Sequence, residues 1–148
     1  MSTYTQIYYH IVFSTKNRER VLSAGRRDEL FRYIAGVIRK HDCHAYCAGG
    51  YEDHVHILTH VRPTIALADL VKDIKVASSS WISKEKVFPN FTHWQDGYAA
   101  FTVSHAEKDR VVEYIQDQPE HHRRFSFHEE LRRFLLEHRV EFDERYLI

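Results

Sequence analysis

Alternating and continuous apolar stretches predict four short β-strands. The first is rich in aromatic and β-branched residues, which is typical of a buried strand. The second and third are separated by a predicted turn at Gly49-Gly50, and the fourth follows the break at Gly97. The predicted strands cover about residues 6–14, 43–49, 54–61 and 98–103.

Apolar residues spaced three or four positions apart predict helices between and after these strands. A helix over about residues 26–40 and a second helix after Pro63 each carry one apolar stripe, which is typical of a helix that packs on a sheet.

The C-terminal third of the chain predicts two more helices. Ser104 is a predicted N-cap, and Glu107 three residues later completes a capping box. This helix is predicted to run to about Gln118, where Pro119 ends it. A further helix is predicted over about residues 127–138.

The order of these elements predicts an α+β, ferredoxin-like (βαββαβ) fold. Residues 1–148 are interpreted as a single domain, an antiparallel sheet with helices on one face plus C-terminal helices. In this topology the first and third strands are central. The strand that carries His54 and His56 is therefore expected beside the strand that carries His10.

The amino-acid composition and the net charge disfavour some classes of protein but do not by themselves indicate a function. The hydrophobic fraction of 43% provides for a core, and the chain has neither a long apolar run nor a signal-peptide pattern, so we expect a cytoplasmic protein with no membrane segment. Because 21 basic and 21 acidic residues cancel, a polycation that coats duplex DNA is disfavoured. A basic groove is still permitted. Cys43 and Cys47 are interpreted as reduced thiols rather than half of a zinc site.

A short histidine motif stands in the third predicted strand, in the sequence DHVHIL. Residues i and i+2 of a strand point to the same face, so His54 and His56 are expected side by side. Two imidazoles on one face can bind a divalent metal ion. By itself the pattern fits a pair of hydrogen-bonded structural histidines equally well.

A tyrosine and a glutamine share a face of the third predicted helix. Tyr114 and Gln118 are four residues apart, and residues at that spacing are neighbours on a helix. A phenol beside a carboxamide suits a site with a nucleophile and a metal ion. Taken alone, Tyr114 is better explained as an aromatic residue near the end of a helix.

Together these motifs resemble a known family. The segments YHIVFSTKNR, GGYEDHVHIL, LVKDIKVASSSWI, WQDGYAAFTVS, YIQDQPEHHRRFSFHEE and FDERYL span nearly the whole chain. They resemble the single-tyrosine transposases of the HUH nuclease superfamily, including the relatives associated with repetitive extragenic palindromes. A histidine–hydrophobic–histidine element followed about sixty residues later by Y-x-x-x-Q carries most of this resemblance.

The resemblance implies a function and a set of site residues. His54, His56 and Gln118 match the family's metal ligands, and Tyr114 matches its nucleophile. The implied activity is DNA transposition, in which single-stranded DNA with hairpin ends is cut and rejoined through a 5′-phosphotyrosine intermediate with Mg2+ or Mn2+. Because histidine suits Mn2+ better than Mg2+, tighter Mn2+ binding is expected. The resemblance also implies a homodimer, and leaves open whether one subunit's tyrosine serves the other's site.

Three basic residues are candidates for contacts with nucleic acid. Lys72 and Lys75 lie on the second predicted helix, and Arg123 lies in the run HHRR. A solvated helix face explains the two lysines equally well. Two other functions remain open: a domesticated regulator that binds hairpins without cutting them, and a metal-dependent hydrolase that does not need Tyr114.

Overall fold

A four-stranded antiparallel sheet is the centre of the fold. The computed structural model describes residues 2–147, and the strand order is β2-β3-β1-β4. The strands are β1 (Tyr8–Ser14), β2 (His44–Gly50), β3 (His54–His60) and β4 (Ala99–Val103). The α-helices are α1 (Arg27–Lys40), α2 (Leu67–Glu85), α3 (Lys108–Gln116), α4 (Gln118–His121) and α5 (Phe127–Glu137).

The register of the sheet places its histidines on one face. β1 and β3 form the central pair, as the sequence predicts. His56 lies opposite Val12, and His54 lies opposite Ser14. Because side chains alternate between the two faces of a strand, His10, His54 and His56 point to the same side of the sheet.

The opposite face is the main hydrophobic core. Ile11, Val55 and Ile57 are fully buried there, against apolar residues of α1 and α2. Those helical residues include Leu30, Ile34, Leu70 and Ile74. The predicted α+β fold is thereby confirmed, with α1 and α2 on one face and the C-terminal helices in addition.

The C-terminal helices cover the histidine face. Ile115 of α3 packs with Leu58 of β3, and Phe127 of α5 packs with Val12 and Phe101. The sheet is therefore covered on both sides, and polar side chains of the histidine face lie between the strands and α3, α4 and α5.

The predicted turn at Gly49-Gly50 is wrong, because both glycines belong to β2. A Cβ atom on Gly49 would lie 2.6 Å from the carbonyl oxygen of Ile115 and 2.8 Å from its Cγ2 atom. Gly49 thus allows α3 to approach the sheet closely. Glycine stands at this point because of packing rather than chain reversal.

The prediction of one helix ended by Pro119 is also wrong in detail. α3 ends at Gln116, and Pro119 lies in the first turn of α4. Proline has no N–H to donate to the carbonyl of Ile115, so the helical ladder breaks before it. A first turn tolerates that loss, because its N–H groups have no partner within the helix.

Serine caps define two of the helical starts. Ser104 Oγ accepts a hydrogen bond from the N–H of Glu107, and Ser126 Oγ accepts one from the N–H of Glu129. The predicted cap at Ser104 is confirmed. Within residues 2–147, none of the helices has the length and apolarity that a membrane crossing requires.

Candidate active site

The two motif histidines lie side by side at the buried centre of the sheet. His54 and His56 are inaccessible to solvent, and their ring centroids are 5.0 Å apart. β3 supplies their common direction, and helix α5 shields them, since the ring of Phe127 stacks on that of His54 at 4.3 Å. Water is therefore excluded from most of both rings.

Gln118 contacts one of the two motif histidines, His54, across the space between the sheet and α4. Its Oε1 atom lies 2.9 Å from His54 Nε2, and its side chain is fully buried. Its Nε2 atom donates to Glu130 Oε2 at 2.9 Å, which fixes the orientation of the amide. The break at Asp117 leaves Gln118 at the first position of α4, directed towards the histidines.

Glu130 of α5 lies at the centre of the cluster. Its Oε1 atom is 2.9 Å from His56 Nε2, 3.4 Å from His54 Nε2 and 3.3 Å from His122 Nε2. The carboxylate is inaccessible to solvent. His54, His56, His122 and Glu130 together form a group whose donor atoms all lie within 4.8 Å of one another.

A hydrogen bond to Asp53 determines which nitrogen of His54 faces the other members of the cluster. Its Nδ1 atom lies 2.7 Å from Asp53 Oδ1, and a carboxylate can only accept, so Nδ1 donates. In the neutral ring, the lone pair of Nε2 then points towards the oxygens of Gln118 and Glu130. A histidine whose Nδ1–H is held by a carboxylate while Nε2 remains free is the usual form of a metal ligand.

His56, the other motif histidine, contacts a third histidine, His10. His56 Nδ1 lies 2.8 Å from His10 Nε2, with His10 on the adjacent strand β1. Burial lowers the pKa of both imidazoles, and for His10 the neighbouring His56 lowers it further. Both rings are therefore neutral near pH 7, the state in which imidazole can bind a metal ion.

Charge is concentrated on His54 and Glu130. Burial alone would lower the pKa of His54, but Asp53 and Glu130 raise it to about 9. Burial opposes ionisation of Glu130, yet His56, His122 and His54 hold its pKa well below the usual range. In the absence of a metal ion, a proton on His54 partly balances the carboxylate.

The donor set fits a divalent metal ion. Neighbouring ligands of an octahedral ion with bonds of about 2.1 Å are about 3 Å apart, which matches the separation of His54 Nε2 and Gln118 Oε1. Neutral His54 and Gln118 would turn two lone pairs towards each other at this distance. A cation between them would satisfy both.

Tyr114 borders the cluster from the last turns of α3. Its hydroxyl donates to Glu130 Oε2, and it also lies 3.3 Å from His121 Nε2 and 3.3 Å from Arg133 Nη2. Burial, followed by the charge of Glu130, raises the pKa of this phenol. Activation of the tyrosine therefore requires a positive charge nearby.

The comparison with known families bears directly on this arrangement. The family model described as "Transposase IS200 like" matches residues 3–118, a span that contains His54, His56, Tyr114 and Gln118. The chain belongs to the IS200-like transposase family. The resemblance noted in the sequence is thereby confirmed, and a role for this transposase in DNA processing is supported.

Named relatives agree with this assignment. The ISDra2 transposase TnpA of Deinococcus radiodurans is 28% identical over 119 residues, which cover 76% of this chain and 84% of that protein. A crystal structure of a Deinococcus radiodurans protein described as a transposase superposes with a TM-score of 0.61 at 25% identity, covering 80% of this chain and 95% of the other.

A second solved structure shares the fold. It is a REP-associated tyrosine transposase bound to a REP hairpin, and it superposes with a TM-score of 0.60 at 17% identity. The similarity covers 82% of this chain and 74% of the other.

The predicted metal ligands and nucleophile of the transposase meet in one place, whereas the predicted DNA contacts lie apart from them. Lys72 and Lys75 are on α2, over the opposite face of the sheet, and Lys75 Nζ donates to the carbonyl oxygens of Gln95 and Gly97. Arg123 is exposed and lies 3.4 Å from Glu120. Their contact with DNA stays a prediction.

Two members of the cluster, His122 and Glu130, escaped the sequence-based assignment of ligands. His122 was visible only as part of the run HHRR. Glu130 had a detectable signal: it lies between Phe127 and Phe134, at helical spacing, on the apolar side of α5. A carboxylate on the apolar face of an amphipathic helix is costly to bury and so marks a polar partner within the fold.

Proposed function

We propose that this transposase cuts and rejoins single-stranded DNA, with Tyr114 as the nucleophile and a divalent metal ion held by His54, His56 and Gln118. One observation carries the proposal: a single carboxylate, Glu130, contacts both His56 and the Tyr114 hydroxyl. The candidate nucleophile therefore borders the candidate metal ligands within one chain.

The chemistry follows from the residue types. When bound, a divalent cation would withdraw charge from the scissile phosphate. Tyr114 Oη would form a bond to the phosphorus while the bond to the 3′-oxygen breaks, which gives a 5′-phosphotyrosine and a 3′-hydroxyl. The phenol loses one proton and the 3′-oxygen gains one, so the number of protons is conserved. Because the covalent bond conserves the phosphodiester energy, a second 3′-hydroxyl can reverse the step.

Two neighbours would prepare Tyr114 for this attack. Glu130 Oε2 accepts the hydrogen bond of the phenol and so fixes the direction of its oxygen. Arg133 Nη2 lies 3.3 Å from the same oxygen and is the positively charged side chain closest to it among these contacts. The Arg133 guanidinium favours the phenolate, because opposite charges stabilise the ionised form.

The substrate and cofactor are proposed from the family. Because a solved structure with the same fold is bound to a REP hairpin, single-stranded DNA with hairpin ends is the proposed substrate. A homodimer is the proposed assembly, because the family resemblance implies one. Mg2+ or Mn2+ is the proposed cofactor. Mn2+ is expected to bind more tightly, because imidazole suits it better than it suits the harder Mg2+ ion.

A covalent-adduct experiment tests the function. Purified protein is incubated with labelled single-stranded DNA that carries hairpins from its own genomic flanks, with Mn2+ or Mg2+, and the products are separated on denaturing gels. We expect a metal-dependent protein–DNA adduct that disappears in Tyr114→Phe and His56→Ala. Tyr33→Phe is the matched control, since Tyr33 stacks on Trp81 on the other face of the sheet.

Each alternative function has its own result. Cutting that persists in Tyr114→Phe without an adduct would indicate a hydrolase that activates water. Binding of the hairpins without any cutting, with either metal ion, would indicate a domesticated regulator. Either result would contradict the proposed strand transfer.

A further inference from the structure

We propose that Glu130 and His122 are also metal ligands, so that the cation is held by an anionic carboxylate as well as by neutral donors. The inference rests on the metal site proposed above and extends it. Both residues lie beyond residue 118, outside the part of the chain that the family model matches. They would be an addition made by the C-terminal helices of this protein.

The distances support a single coordination group. His122 Nε2 lies 2.9 Å from Gln118 Oε1, and Glu130 Oε1 lies between 2.9 and 3.4 Å from the Nε2 atoms of His54, His56 and His122. These separations match those between neighbouring ligands of an ion with bonds of about 2.1 Å.

The direction of His122 is fixed from outside, as for His54. Its Nδ1 atom donates to the carbonyl oxygen of Phe125 at 2.7 Å, because a carbonyl can only accept. Its other nitrogen, Nε2, then faces Gln118 Oε1, which is itself an acceptor. When neither His54 nor His122 carries a proton on Nε2, two rings and one amide direct lone pairs to the same small volume, an arrangement that a cation stabilises.

The charge of Glu130 points to the same conclusion. The carboxylate is fully buried, and its ion-pair partners within residues 2–147 are all histidines, with no lysine or arginine among them. Burying a carboxylate without a strong countercharge costs free energy. A divalent ion would supply that charge directly at Oε1 and leave Oε2 for Tyr114.

Glu130→Gln is the decisive variant, because it removes the charge and keeps the shape. We expect Mn2+ affinity, measured by titration calorimetry on the full chain, to fall by at least about tenfold, since even outer contacts of a metal site are worth 10- to 100-fold. Glu129→Gln is the matched control, on the same helix but exposed, and should bind as the wild type does. Circular dichroism would verify that both variants are folded.

His122 is tested in the same way and also without any variant. His122→Asn should weaken Mn2+ binding by at least about tenfold, whereas His128→Asn should not. In the wild type, pulsed electron paramagnetic resonance of bound Mn2+ should detect nitrogens from three histidines rather than two. This measurement does not depend on how well a variant folds.

The outcomes separate the two proposals. If His54→Ala abolishes Mn2+ binding while Glu130→Gln binds as tightly as the wild type or more tightly, the metal site stands and the added carboxylate ligand is wrong. Two nitrogens in the wild-type spectrum would overturn the role of His122. A wild type that binds neither Mn2+ nor Mg2+ would overturn the metal site and this inference together.

Discussion

At the scale of single residues, Asp53 acts on the site through His54. Its carboxylate accepts from Nδ1 and thereby directs Nε2 towards the proposed metal position. We expect Asp53→Asn to weaken Mn2+ binding by about 10- to 100-fold, because the amide gives a weaker and uncharged contact. Calorimetry would measure the loss, with Glu52→Gln as the neighbouring control. Equal affinity in wild type and Asp53→Asn would show that Asp53 does not position the ligand.

The proton on His54 would give the proposed Mn2+ binding a defined dependence on pH. The pKa of His54 is raised to about 9 in the metal-free protein, so the ring is protonated at neutral pH. A metal ion must displace that proton. We therefore expect release of about one proton per Mn2+ near pH 7.5, and an affinity that increases as the pH rises towards about 9.

Calorimetry in two buffers with different ionisation enthalpies would measure the number of protons that are released when Mn2+ binds. Asp53→Asn provides the comparison, since loss of the carboxylate removes one of the two groups that raise the pKa of His54. Binding with no proton release in the wild type would contradict the protonated state of His54.

At the scale of secondary-structure elements, the position of α3 depends on Gly49. An alanine Cβ at this position would lie 2.6 Å from the Ile115 carbonyl oxygen, so α3 would have to move away from β2. We expect Gly49→Ala to lower the free energy of unfolding by about 1–3 kcal/mol, as overpacking of a core usually does. Urea denaturation would measure it.

Gly36→Ala is the matched control for this element. Gly36 lies within α1, and a Cβ there would meet no atom within 4 Å. Alanine is favoured over glycine in a helix, so this variant should be as stable as the wild type or more stable. If Gly49→Ala were also as stable as the wild type, close packing of α3 on β2 would not be a constraint.

The elements were predictable because their signals are local. Strand alternation placed His54 and His56 on one face, and the βαββαβ order made β1 and β3 central. The capping box at Ser104 was equally local. The break between α3 and α4 was not predicted, because Pro119 ends one helix and fits the first turn of the next equally well.

The site was only partly predictable because two of its residues, His122 and Glu130, are brought to it by tertiary packing. His54, His56, Tyr114 and Gln118 follow from two motifs, and the structure brings all four together. Glu130 is 74 residues from His56 along the chain. Nothing in the local pattern of α5 says which polar partner a buried carboxylate meets, since that depends on how the helix crosses the sheet.

At the scale of the whole molecule, the predicted nucleophile and the predicted metal ligands come together within one chain. Tyr114 contacts Glu130, and Glu130 contacts His56. We therefore expect that mixing Tyr114→Phe with His56→Ala protein yields no more DNA cleavage than the two variants alone. Gel assays of the mixture would measure it. Recovered cleavage would show instead that the tyrosine acts on the site of a partner subunit.

The two faces of β3 carry residues with different roles. Along β3, Val55 and Ile57 face the hydrophobic core, while His54 and His56 face the site. A mutation of Val55 or Ile57 thus acts first on the stability of the fold, whereas a mutation of His54 or His56 acts first on the chemistry of the site. An insertion or deletion of a single residue within β3 would exchange the two sets, and it would remove stability and activity in the same event.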